Sequence, residues 1–477
     1  MPFTLSLRDL FTLLRLSELL SVVSFLLALV FLAHILRSKR PPQSTIAWVL
    51  FVVMMPYVGV LLYITFGGRK MRRLALAKEP IYPLENDPSQ AALCVGTERI
   101  LRTFGVPPSS VGNDVVFISD GEIAFKTLVE IIDSAKAYIH ITTYILASDA
   151  VGAEIVQQLS EKASRGVKVR LLIDDAGSWR LKRRLIAPLI SAGGEVSFFM
   201  PVFHLPFRGR SNLRNHRKLV VADGLRALTG GMNLADEYMG PKPNPRRWKD
   251  VSLRVEGPAV ADLDALFRSD WRFATREPAD TPDLSRTNEE AAMSIVSHGG
   301  TPVQVVASGP DVAGDPLYES IVNLVFAAKH RIWVATPYFV PDEILARALE
   351  LAARRGVDVR LLVPNRSNHI TADLARFGYM RQVHDAGAKI FRYRRGMIHA
   401  KVILLDDDLA VIGSANMDMR SLFLNYEVAL FLFSPPRVNE AEAWFETLFP
   451  DCRPGLNQQN WYRELAENVA RLVSPLL

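Results

Sequence analysis

The feature that most constrains the fold of this chain is an internal repeat beyond residue 75. GVKVRLLID at residues 166–174 recurs as GVDVRLLVP at residues 356–364, at an offset of 190. A β-branched or aliphatic run precedes each copy, at 138–145 and 331–340, and a helical pattern lies between run and copy. Strands alternating with helices are typical of βαβ units. The repeat therefore predicts two similar α/β domains, each built around a mostly parallel sheet.

A second repeat, at an offset of 183, carries polar residues suited to chemistry. Both copies fit the pattern H-x-K-x4-D-x6-G-[GS]-x-N. Its members are His216, Lys218, Asp223, Gly230, Gly231 and Asn233 in the first copy, and His399, Lys401, Asp406, Gly413, Ser414 and Asn416 in the second. One H-x-K occurs easily by chance, whereas two copies with the same spacing, one in each repeat, are a specific signal.

The motif predicts an anion-handling pocket shared by the two repeats. Period-two alternation places the His and the Lys on one face of a strand. If the repeats pack pseudo-symmetrically, two imidazoles with pKa values near neutral pH supply a nucleophile and a general acid. Two ammonium groups then neutralise a phosphoryl group in the transition state. Such a site needs no metal, and Cys94 and Cys452 lack a metal-ligand spacing.

Two apolar segments near the N terminus predict a membrane hairpin. Residues 19–36 and 46–66 carry no formal charge over 18 and 21 positions. About 20 apolar residues cross a bilayer core. The alternative for the first segment is a cleaved signal peptide, but a small-x-small cleavage site is missing and the second segment follows within ten residues. Seven flanking cations against three in the connecting loop predict that both termini are cytoplasmic.

Composition sets the remaining bounds. With 49% hydrophobic residues and two cysteines, bulk disorder and a disulfide framework are excluded. A net charge of +6 favours anionic partners. The polar, turn-rich stretch 276–290 predicts a linker. The expected domains are a hairpin in 1–75, a connecting segment in 76–114, a first α/β domain in 115–275, a linker in 276–300, and a second domain with a C-terminal helix in 301–477.

The paired motif resembles the HKD motif of the phospholipase D superfamily, over about residues 115–450. The two apolar spans are one further point of similarity to bacterial cardiolipin synthases of the membrane-anchored type. The others are the segments PFRGRSNLRNHRK (206–218), RVEGPAV (254–260), TPYFVPDE (336–343) and RLVSPLL (471–477). The resemblance implies two pseudo-symmetric phospholipase D-like α/β domains behind a two-helix transmembrane hairpin.

The same resemblance implies an activity. Phosphatidylglycerol is both donor and acceptor of a phosphatidyl group, and cardiolipin and glycerol form through a phosphatidyl-histidine, without a cofactor. The expected location is the bacterial cytoplasmic (inner) membrane, multi-pass, with the bilayer rather than nucleic acid as partner and the catalytic domains on the cytoplasmic side. A phospholipase D-type hydrolase releasing phosphatidic acid is the alternative, a superfamily nuclease is a third, and phosphatidylethanolamine is an alternative acceptor.

Roles for the motif residues follow from the family. His216 is expected to be the nucleophile and His399 the acid and base, although exchanged roles fit the sequence equally. Lys218 and Lys401 are expected to bind phosphoryl oxygens. The family implies that three further side chains help them, namely Asn233, Ser414 and Asn416. Asp223 and Asp406, grouped with the catalytic residues, usually support local architecture in the superfamily.

Two further groups are expected to matter. Glu427, eleven residues past Asn416, matches a family carboxylate that orients a histidine. In the first half the position eleven past Asn233 is Asn244, and Asp250 is the candidate if residues are inserted. Arginines near the motifs either hold substrate phosphates, Arg214 above all, or belong to a solvated basic loop. They are Arg208, Arg210, Arg214, Arg217, Arg392, Arg394 and Arg395.

Overall fold

The protein is described here by a computed structural model. The residues it describes are 7–37, 42–66, 78, 81–82, 96–201, 213–277 and 300–456, with single positions between 461 and 470. Most of the predicted linker, Arg208, Arg210, Cys94, most of the C-terminal helix and the RLVSPLL ending lie outside these residues. So do residues 38–41 and 67–77, which hold most of the cations counted for membrane orientation.

Three helices form the N-terminal unit: α1 (Leu7–Arg37), α2 (Pro42–Met54) and α3 (Pro56–Phe66). The second predicted span is thus two helices, because Pro56 lacks an N–H and disfavours helical backbone at the residue before it. Ile35 of α1 packs in one cluster with Val52 of α2 and Tyr63 of α3. Within the described residues, no helix combines the length and the apolar character needed to cross a membrane.

The other unit is built on a 15-stranded sheet. Its strands are β1 (Ser110–Ile118), β2 (Tyr138–Thr143), β3 (Lys168–Asp174), β4 (Glu195–Phe199), β5 (Leu219–Ala222), β6 (Arg226–Gly230), β7 (Ser252–Glu256), β8 (Thr301–Ser308), β9 (Arg331–Ala335), β11 (Asp358–Pro364), β12 (Lys389–Tyr393), β13 (Val402–Leu405), β14 (Leu409–Gly413), β16 (Glu427–Leu432) and β17 (Cys452–Pro454). A separate parallel pair consists of β10 (Phe339–Val340) and β15 (Met417–Asp418).

The strand order shows the repeat. From the centre outward it is β1-β7-β6-β5-β2-β3-β4 in the first half and β8-β16-β14-β13-β9-β11-β12 in the second. An antiparallel pairing of β1 with β8 joins the halves into one sheet. The expectation of a mostly parallel sheet is wrong, since four of the fourteen pairs in this sheet are parallel. The βαβ units supply those four, and the motif strands return through short hairpins that pair antiparallel.

Helices cover both faces of the sheet. They are α4 (Thr97–Thr103), α5 (Gly121–Ser134), α6 (Ala150–Ser164), α7 (Arg183–Ser191), α8 (Ala259–Thr275), α9 (Pro316–Ala327), α10 (Glu343–Arg354), α11 (Ile370–Asp385), α12 (Met419–Phe423) and α13 (Pro435–Leu448). Aspartates at the N-caps of α5, α6 and α10 accept bonds from free backbone N–H groups.

Alternation along the strands divides the core into layers. Val402 and Leu404 of β13 point into a cluster that spans both halves and includes Phe267 of α8 and Phe445 of α13. Ile403, between them, points to the opposite face, into a cluster of the second half that also includes Leu101 and Val106 of the connecting segment. The two halves therefore share one core layer as well as the sheet, which fixes the two motifs relative to each other.

Candidate active site

Each H-x-K segment lies just before a strand and is held by the opposite half. The backbone N–H of His216 donates to the carbonyl of Tyr426 at 2.9 Å, and that of His399 donates to the carbonyl of Lys249 at 2.7 Å. The predicted strand begins only after the motif lysine, at β5 and β13. Because each motif pairs with the other half, packing of the two halves brings both histidines to one place.

A carboxylate from the opposite half meets each imidazole. Nδ1 of His216 lies 3.0 Å from both carboxylate oxygens of Glu427. Nδ1 of His399 lies 2.7 Å from Oδ2 of Asp250. An ionised carboxylate only accepts hydrogen bonds, so Nδ1 carries the proton and Nε2 presents a lone pair. Both histidines are thus arranged to react through Nε2.

The two carboxylate sites differ in a way that explains a difference between the motifs. In the second half, the Ser414 hydroxyl donates to Oε2 of Glu427 at 2.5 Å. In the first half, a Cβ on Gly231 would lie 2.1 Å from Oδ1 of Asp250. Asp is one methylene shorter than Glu, so its carboxylate reaches the histidine from closer to the backbone. Glycine provides the room that this approach needs.

Aromatic rings from the first half pack around both histidines. The ring of Tyr144 meets His216 edge-on, with centroids 4.8 Å apart. Tyr238 and Trp248 lie 5.1 and 5.4 Å from the ring of His399. These rings and the surrounding sheet bury both imidazoles.

Burial controls the charge of the imidazoles. It lowers the pKa of His216 to about 4 and that of His399 to about 3, against the attraction of Glu427 and Asp250. The expectation of pKa values near neutral pH is therefore wrong for this site. Burial alone raises carboxylate pKa values, yet the neighbouring cations bring those of Glu427 and Asp250 below the usual range. The carboxylates are ionised and the imidazoles neutral at pH 7.

The motif lysines complete one shared electrostatic unit. Burial lowers the pKa of Lys401 to about 8 and places that of Lys218 well below its usual value. Lys218 Nζ donates to the carbonyl of His216 at 2.6 Å, and Lys401 Nζ to that of His399. Lys401 contributes to lowering the pKa of His216, and Lys218 to lowering that of His399. Each cation therefore acts on both halves of the site.

The motif asparagines bring buried amide atoms beside this unit. Oδ1 of Asn233 accepts a bond from the backbone N–H of Ile145 at 3.2 Å. Its Nδ2, and Oδ1 of Asn416, are buried without a hydrogen-bond partner among the described residues. Buried polar atoms are nearly always paired in native proteins, so these two, beside the motif lysines, are candidates for hydrogen bonds to a ligand.

Comparison with known proteins identifies the family. A family model described as cardiolipin synthase, phospholipase D-like domain, matches residues 128–271 and 321–449. A phospholipase D-nuclease N-terminal model matches residues 26–68. The chain is 36% identical to the cardiolipin synthase of Geobacillus thermodenitrificans over 96% of this chain and 95% of that protein. It is 35% identical to cardiolipin synthase 1 of Bacillus cereus over 92% and 90%, respectively.

The chain belongs to the cardiolipin synthase family. The predicted resemblance is thereby confirmed. A solved phosphatidylserine synthase from Haemophilus influenzae superposes with a TM-score of 0.60 at 16% identity, over 80% of this chain and 100% of that one. At that identity the likeness shows the fold alone, and it agrees with the predicted phospholipase D-like α/β architecture.

The motif aspartates of this cardiolipin synthase family member do not lie with the histidines. Asp223 follows β5 and accepts backbone N–H bonds from residues 136–138 at 2.7 to 2.8 Å. Asp406 follows β13 and accepts three equivalent bonds from residues 329–331. A whole strand separates each from its histidine. Their carboxylates hold the loops that enter β2 and β9, in keeping with the architectural role that the resemblance implies.

The arginines near the motifs divide into two kinds. Arg214 is buried, donates to the carbonyl of Met200 at 2.8 Å and lies 3.7 Å from Asp174. Arg217 is fully buried and donates to Asp270 at 2.6 Å. Arg392 is also buried, whereas Arg394 and Arg395 are exposed. Neither binding of substrate phosphates nor a place in a solvated loop fits Arg217 and Arg392, because both side chains are enclosed in protein.

Two residues take a definite place only in the structure. Asp250, the predicted candidate if residues are inserted, meets His399 and lies 17 residues past Asn233, whereas Glu427 lies 11 past Asn416. Lys78, counted from the sequence among the cations that flank the apolar spans, has its ammonium buried against Asp270 and Asp311, next to Arg217 of the first motif. An isolated lysine beyond the apolar spans gives no sequence signal of this role.

Proposed function

We propose that this chain is a cardiolipin synthase that transfers the phosphatidyl group of one phosphatidylglycerol to the free glycerol hydroxyl of a second, releasing glycerol. The observation that carries the proposal is the pair of histidines whose Nδ1 atoms are each held by a carboxylate of the opposite half. Two such imidazoles beside two lysines suit displacement at a phosphodiester. The names of the relatives support the same reaction.

The reaction proceeds in two displacements. Nε2 of His216 attacks the phosphorus, and the P–O bond to the glycerol headgroup breaks while that oxygen takes a proton from Nε2 of His399. The phosphatidyl-histidine then meets a second phosphatidylglycerol. His399 removes the proton of its hydroxyl, the oxygen attacks the phosphorus and the P–N bond breaks. His399 is protonated again and His216 is free, so the cycle closes.

Protonation of His399 at the start depends on the substrate. Asp250 raises the pKa of His399 against the effect of burial, and an anionic phosphodiester adds to that attraction. The bound substrate thereby favours the imidazolium form of His399, which takes its proton from solvent and can then act as an acid. Phosphate oxygens likewise favour the charged forms of Lys218 and Lys401, whose pKa values are lowered by burial.

The assignment of His216 as nucleophile has structural support. Lys401 Nζ lies 2.7 Å from Nδ1 and 3.3 Å from Nε2 of His399, so the Nε2 lone pair of that imidazole lies beside an ammonium group. The hydrogen bonds described for His216 use Nδ1 and leave Nε2 open to a phosphorus atom. We assign Asn233, Asn416, Ser414 and Arg214 to the substrate-binding surroundings. Unpaired amide atoms are the reason for both asparagines.

We propose that α1–α3 anchor this enzyme in the bacterial cytoplasmic membrane, with the catalytic unit on the cytoplasmic side. Large apolar side chains of these helices are exposed, Phe25 by 68% and Val30 by 64% among them. The N-terminal family model covers the same region, residues 26–68. Orientation rests on the greater number of cations flanking the two spans than between them. A cysteine placed at Ser44 should then react with an impermeant reagent only from the periplasmic side.

A product assay tests the function. The purified full chain in detergent receives phosphatidylglycerol labelled in its headgroup as the sole lipid. Cardiolipin and free glycerol in equal amounts are expected. Phosphatidic acid and glycerol in place of cardiolipin would make the chain a phospholipase D-type hydrolase. A second reaction containing phosphatidylethanolamine as well distinguishes the acceptor by the product formed.

The nucleophile is tested by trapping the intermediate. Rapid quenching with acyl-labelled phosphatidylglycerol and peptide mapping should place the label on the peptide that contains His216. His216→Ala and His399→Ala should each abolish cardiolipin formation while the protein still folds. Label on the His399 peptide would exchange the two roles and leave the rest of the proposal intact.

A further inference from the structure

A loop after β3 exposes an aromatic side chain among cations. Trp179 is 72% exposed, a large value for a tryptophan. The guanidinium of Arg180 lies 4.7 Å from the Trp179 ring centroid. Lys182, Arg183 and Arg184 follow at exposed positions. In the described part of the chain none of these four cations forms an ion pair with a carboxylate.

The loop borders the candidate active site. A Cβ on Gly177 would lie 2.7 Å from the Tyr144 ring, so the loop backbone packs directly on that tyrosine. Tyr144 in turn packs on His216. Asp174, where β3 ends, accepts a bond from the backbone N–H of Asn215 at 2.9 Å. Trp179 is thus two residues along the chain from Gly177, whose backbone packs on the tyrosine beside His216.

The second repeat has a counterpart after β11, the strand equivalent to β3. The loop after β11, residues 365–370, ends at Ile370, which is 79% exposed. Asn368 in this loop accepts a bond from the Tyr338 hydroxyl at 2.5 Å. Tyr338 directly precedes β10, which pairs with β15, and Asn416 of the second motif directly precedes β15, so this loop also borders the candidate active site. We call residues 175–184 and 365–370 the rim loops.

We propose that the rim loops dock the active site onto the headgroup region of an anionic bilayer, with Trp179 and Ile370 entering the interface and Arg180, Lys182, Arg183 and Arg184 contacting lipid phosphates. Tryptophan favours this depth because its ring is apolar and its N–H is polar. Each cation near an anionic surface adds attraction. The inference deepens the proposed function, on which it rests, by naming how a lipid phosphodiester reaches His216.

Charge complementarity selects a lipid surface over a second copy of this chain. Four unpaired cations in ten residues, 175–184, would repel their own copies across a symmetric interface. Protein interfaces are also depleted in lysine and charge at their centre. A bilayer rich in phosphatidylglycerol offers phosphates to the cations and an apolar layer to the tryptophan at the same time.

The first test measures contact directly and needs no turnover. The full chain is reconstituted into nanodiscs whose phosphatidylcholine or phosphatidylglycerol carries brominated acyl chains, which quench tryptophan. Trp179→Phe is compared with the wild-type protein in each disc. The expected result is a quenchable component that is present with phosphatidylglycerol and disappears in Trp179→Phe. Equal quenching in wild type and variant would overturn the proposal, whatever product the enzyme makes.

The second test is kinetic, in mixed micelles that dilute phosphatidylglycerol at the surface. The variant combines Trp179→Ala with Arg180→Gln and Arg184→Gln. Since each cation contributes about 1 kcal/mol at an anionic surface, the apparent KM should rise about tenfold or more, with kcat within about twofold. If the wild type does not consume phosphatidylglycerol, the proposed function is wrong. The quenching experiment would still test the contact with lipid.

A matched control lies at the opposite edge of the sheet. Phe326 and Lys329 precede β9, and Arg354 precedes β11, all at exposed positions. The variant Phe326→Ala with Lys329→Gln and Arg354→Gln removes one aromatic ring and two cations, as the rim variant does. Its KM should equal that of the wild type. Three results would each overturn the assignment to lipid. The first is an equal rise of KM in both variants. The others are a rim variant with half the wild-type mass in solution, which would indicate a second copy of this chain as the partner, and DNA binding by the wild type that the rim variant has lost.

Discussion

Oδ2 of Asp250 lies 2.7 Å from Nδ1 of His399, across the boundary between the two halves of the sheet. Glu427 makes the reciprocal contact with His216. Each half therefore supplies the histidine of one pair and the carboxylate of the other. The site is complete only when the halves pack, which the shared sheet and the shared core layer ensure.

Replacing the carboxylate of Asp250 tests this dependence. Asp250→Asn retains the shape but no longer favours the Nδ1–H tautomer or the protonated imidazole of His399. The expected loss in kcat is about 10²- to 10⁴-fold, the usual contribution of general acid–base catalysis, with a smaller change in KM. Steady-state kinetics on phosphatidylglycerol measures both.

The control for Asp250 is a buried pair outside the site. Nδ1 of His140 in β2 lies 2.7 Å from Oδ1 of Asp264 in α8. Asp264→Asn removes an equally buried carboxylate from a histidine that no step uses. We expect a lower thermal stability but an unchanged kcat per folded molecule. An equal loss of kcat in both variants would show that Asp250 acts through folding alone.

The Gly231 and Ser414 difference predicts opposite tolerances at equivalent positions. Gly231→Ala places a methyl group against the Asp250 carboxylate, so the His399 contact is displaced and turnover should fall at least as far as in Asp250→Asn. Ser414→Ala removes one donor to Glu427 and adds no bulk. Losing a hydrogen bond to a charged acceptor lowers the free energy of unfolding by about 1–3 kcal/mol. Comparing the kcat of the two variants decides the point. Equal activity of Gly231→Ala and wild type would contradict the steric argument.

The motif aspartates should affect stability rather than chemistry. Asp223 and Asp406 have left-handed backbone, with φ of +55° and +49°, so asparagine is the conservative replacement. Asp406→Asn loses part of the acceptor capacity that holds three backbone N–H groups, at a cost of about 1–3 kcal/mol. Chemical unfolding measures this, with the exposed Asp408→Asn as control. A large fall in kcat per folded molecule would return Asp406 to the catalytic group.

Lys78 should be required for folding of the catalytic unit. Lys78 neutralises Asp270 and Asp311 in the interior, so Lys78→Met leaves a buried negative charge without its partner, which typically costs about 3–5 kcal/mol. Lys78→Arg should restore part of the stability. Lys126→Met, at a solvated pair with Glu130, should change little. Thermal unfolding of the three variants gives the answer, and a Tm of Lys78→Met equal to that of the wild type would contradict it.

Sequence alone predicted the repeat, the paired motif and the family because all three are visible as spacing. It placed Glu427 correctly as a carboxylate but not the histidine it meets, since the crossing between halves is a property of packing. The six extra residues between Asn233 and Asp250, relative to the second half, made Asp250 a candidate only on the assumption of an insertion.

The burial of Arg217 could also be found only from the structure, since the sequence predicted that this arginine is either solvated or bound to substrate phosphates. Charged side chains are rarely buried, so nothing local predicts that Arg217 is enclosed with Asp270. Its partners come from α8 and from the strand β8, far away in sequence. The mostly parallel sheet was wrong for a similar reason, because β5 and β13 each pair antiparallel with two neighbours, one of them across a short hairpin, outside the βαβ pattern.

The low pKa of His399 predicts a pH-dependent stability difference. Its folded pKa of about 3 lies below the ordinary 6.5, so below pH 6.5 the unfolded chain binds a proton that the folded chain does not. This histidine therefore destabilises the fold as the pH falls from 6.5, by about 1.4 kcal/mol per pH unit. His399→Gln removes the effect, so its stability relative to wild type should rise by about 2 kcal/mol between pH 7 and pH 5.

Taking the difference between wild type and variant is necessary because other groups titrate in the opposite sense. Burial raises the pKa values of Asp174, Asp262 and Asp418 to about 6, which stabilises the folded chain as the pH falls and is common to both proteins. Urea unfolding at pH 7 and pH 5 measures the difference, with His330→Gln, at an exposed position, as the control variant. A difference for His399→Gln that does not change between pH 7 and pH 5 would mean that the imidazole is charged in the folded protein, and that His399 can act as an acid before the substrate binds.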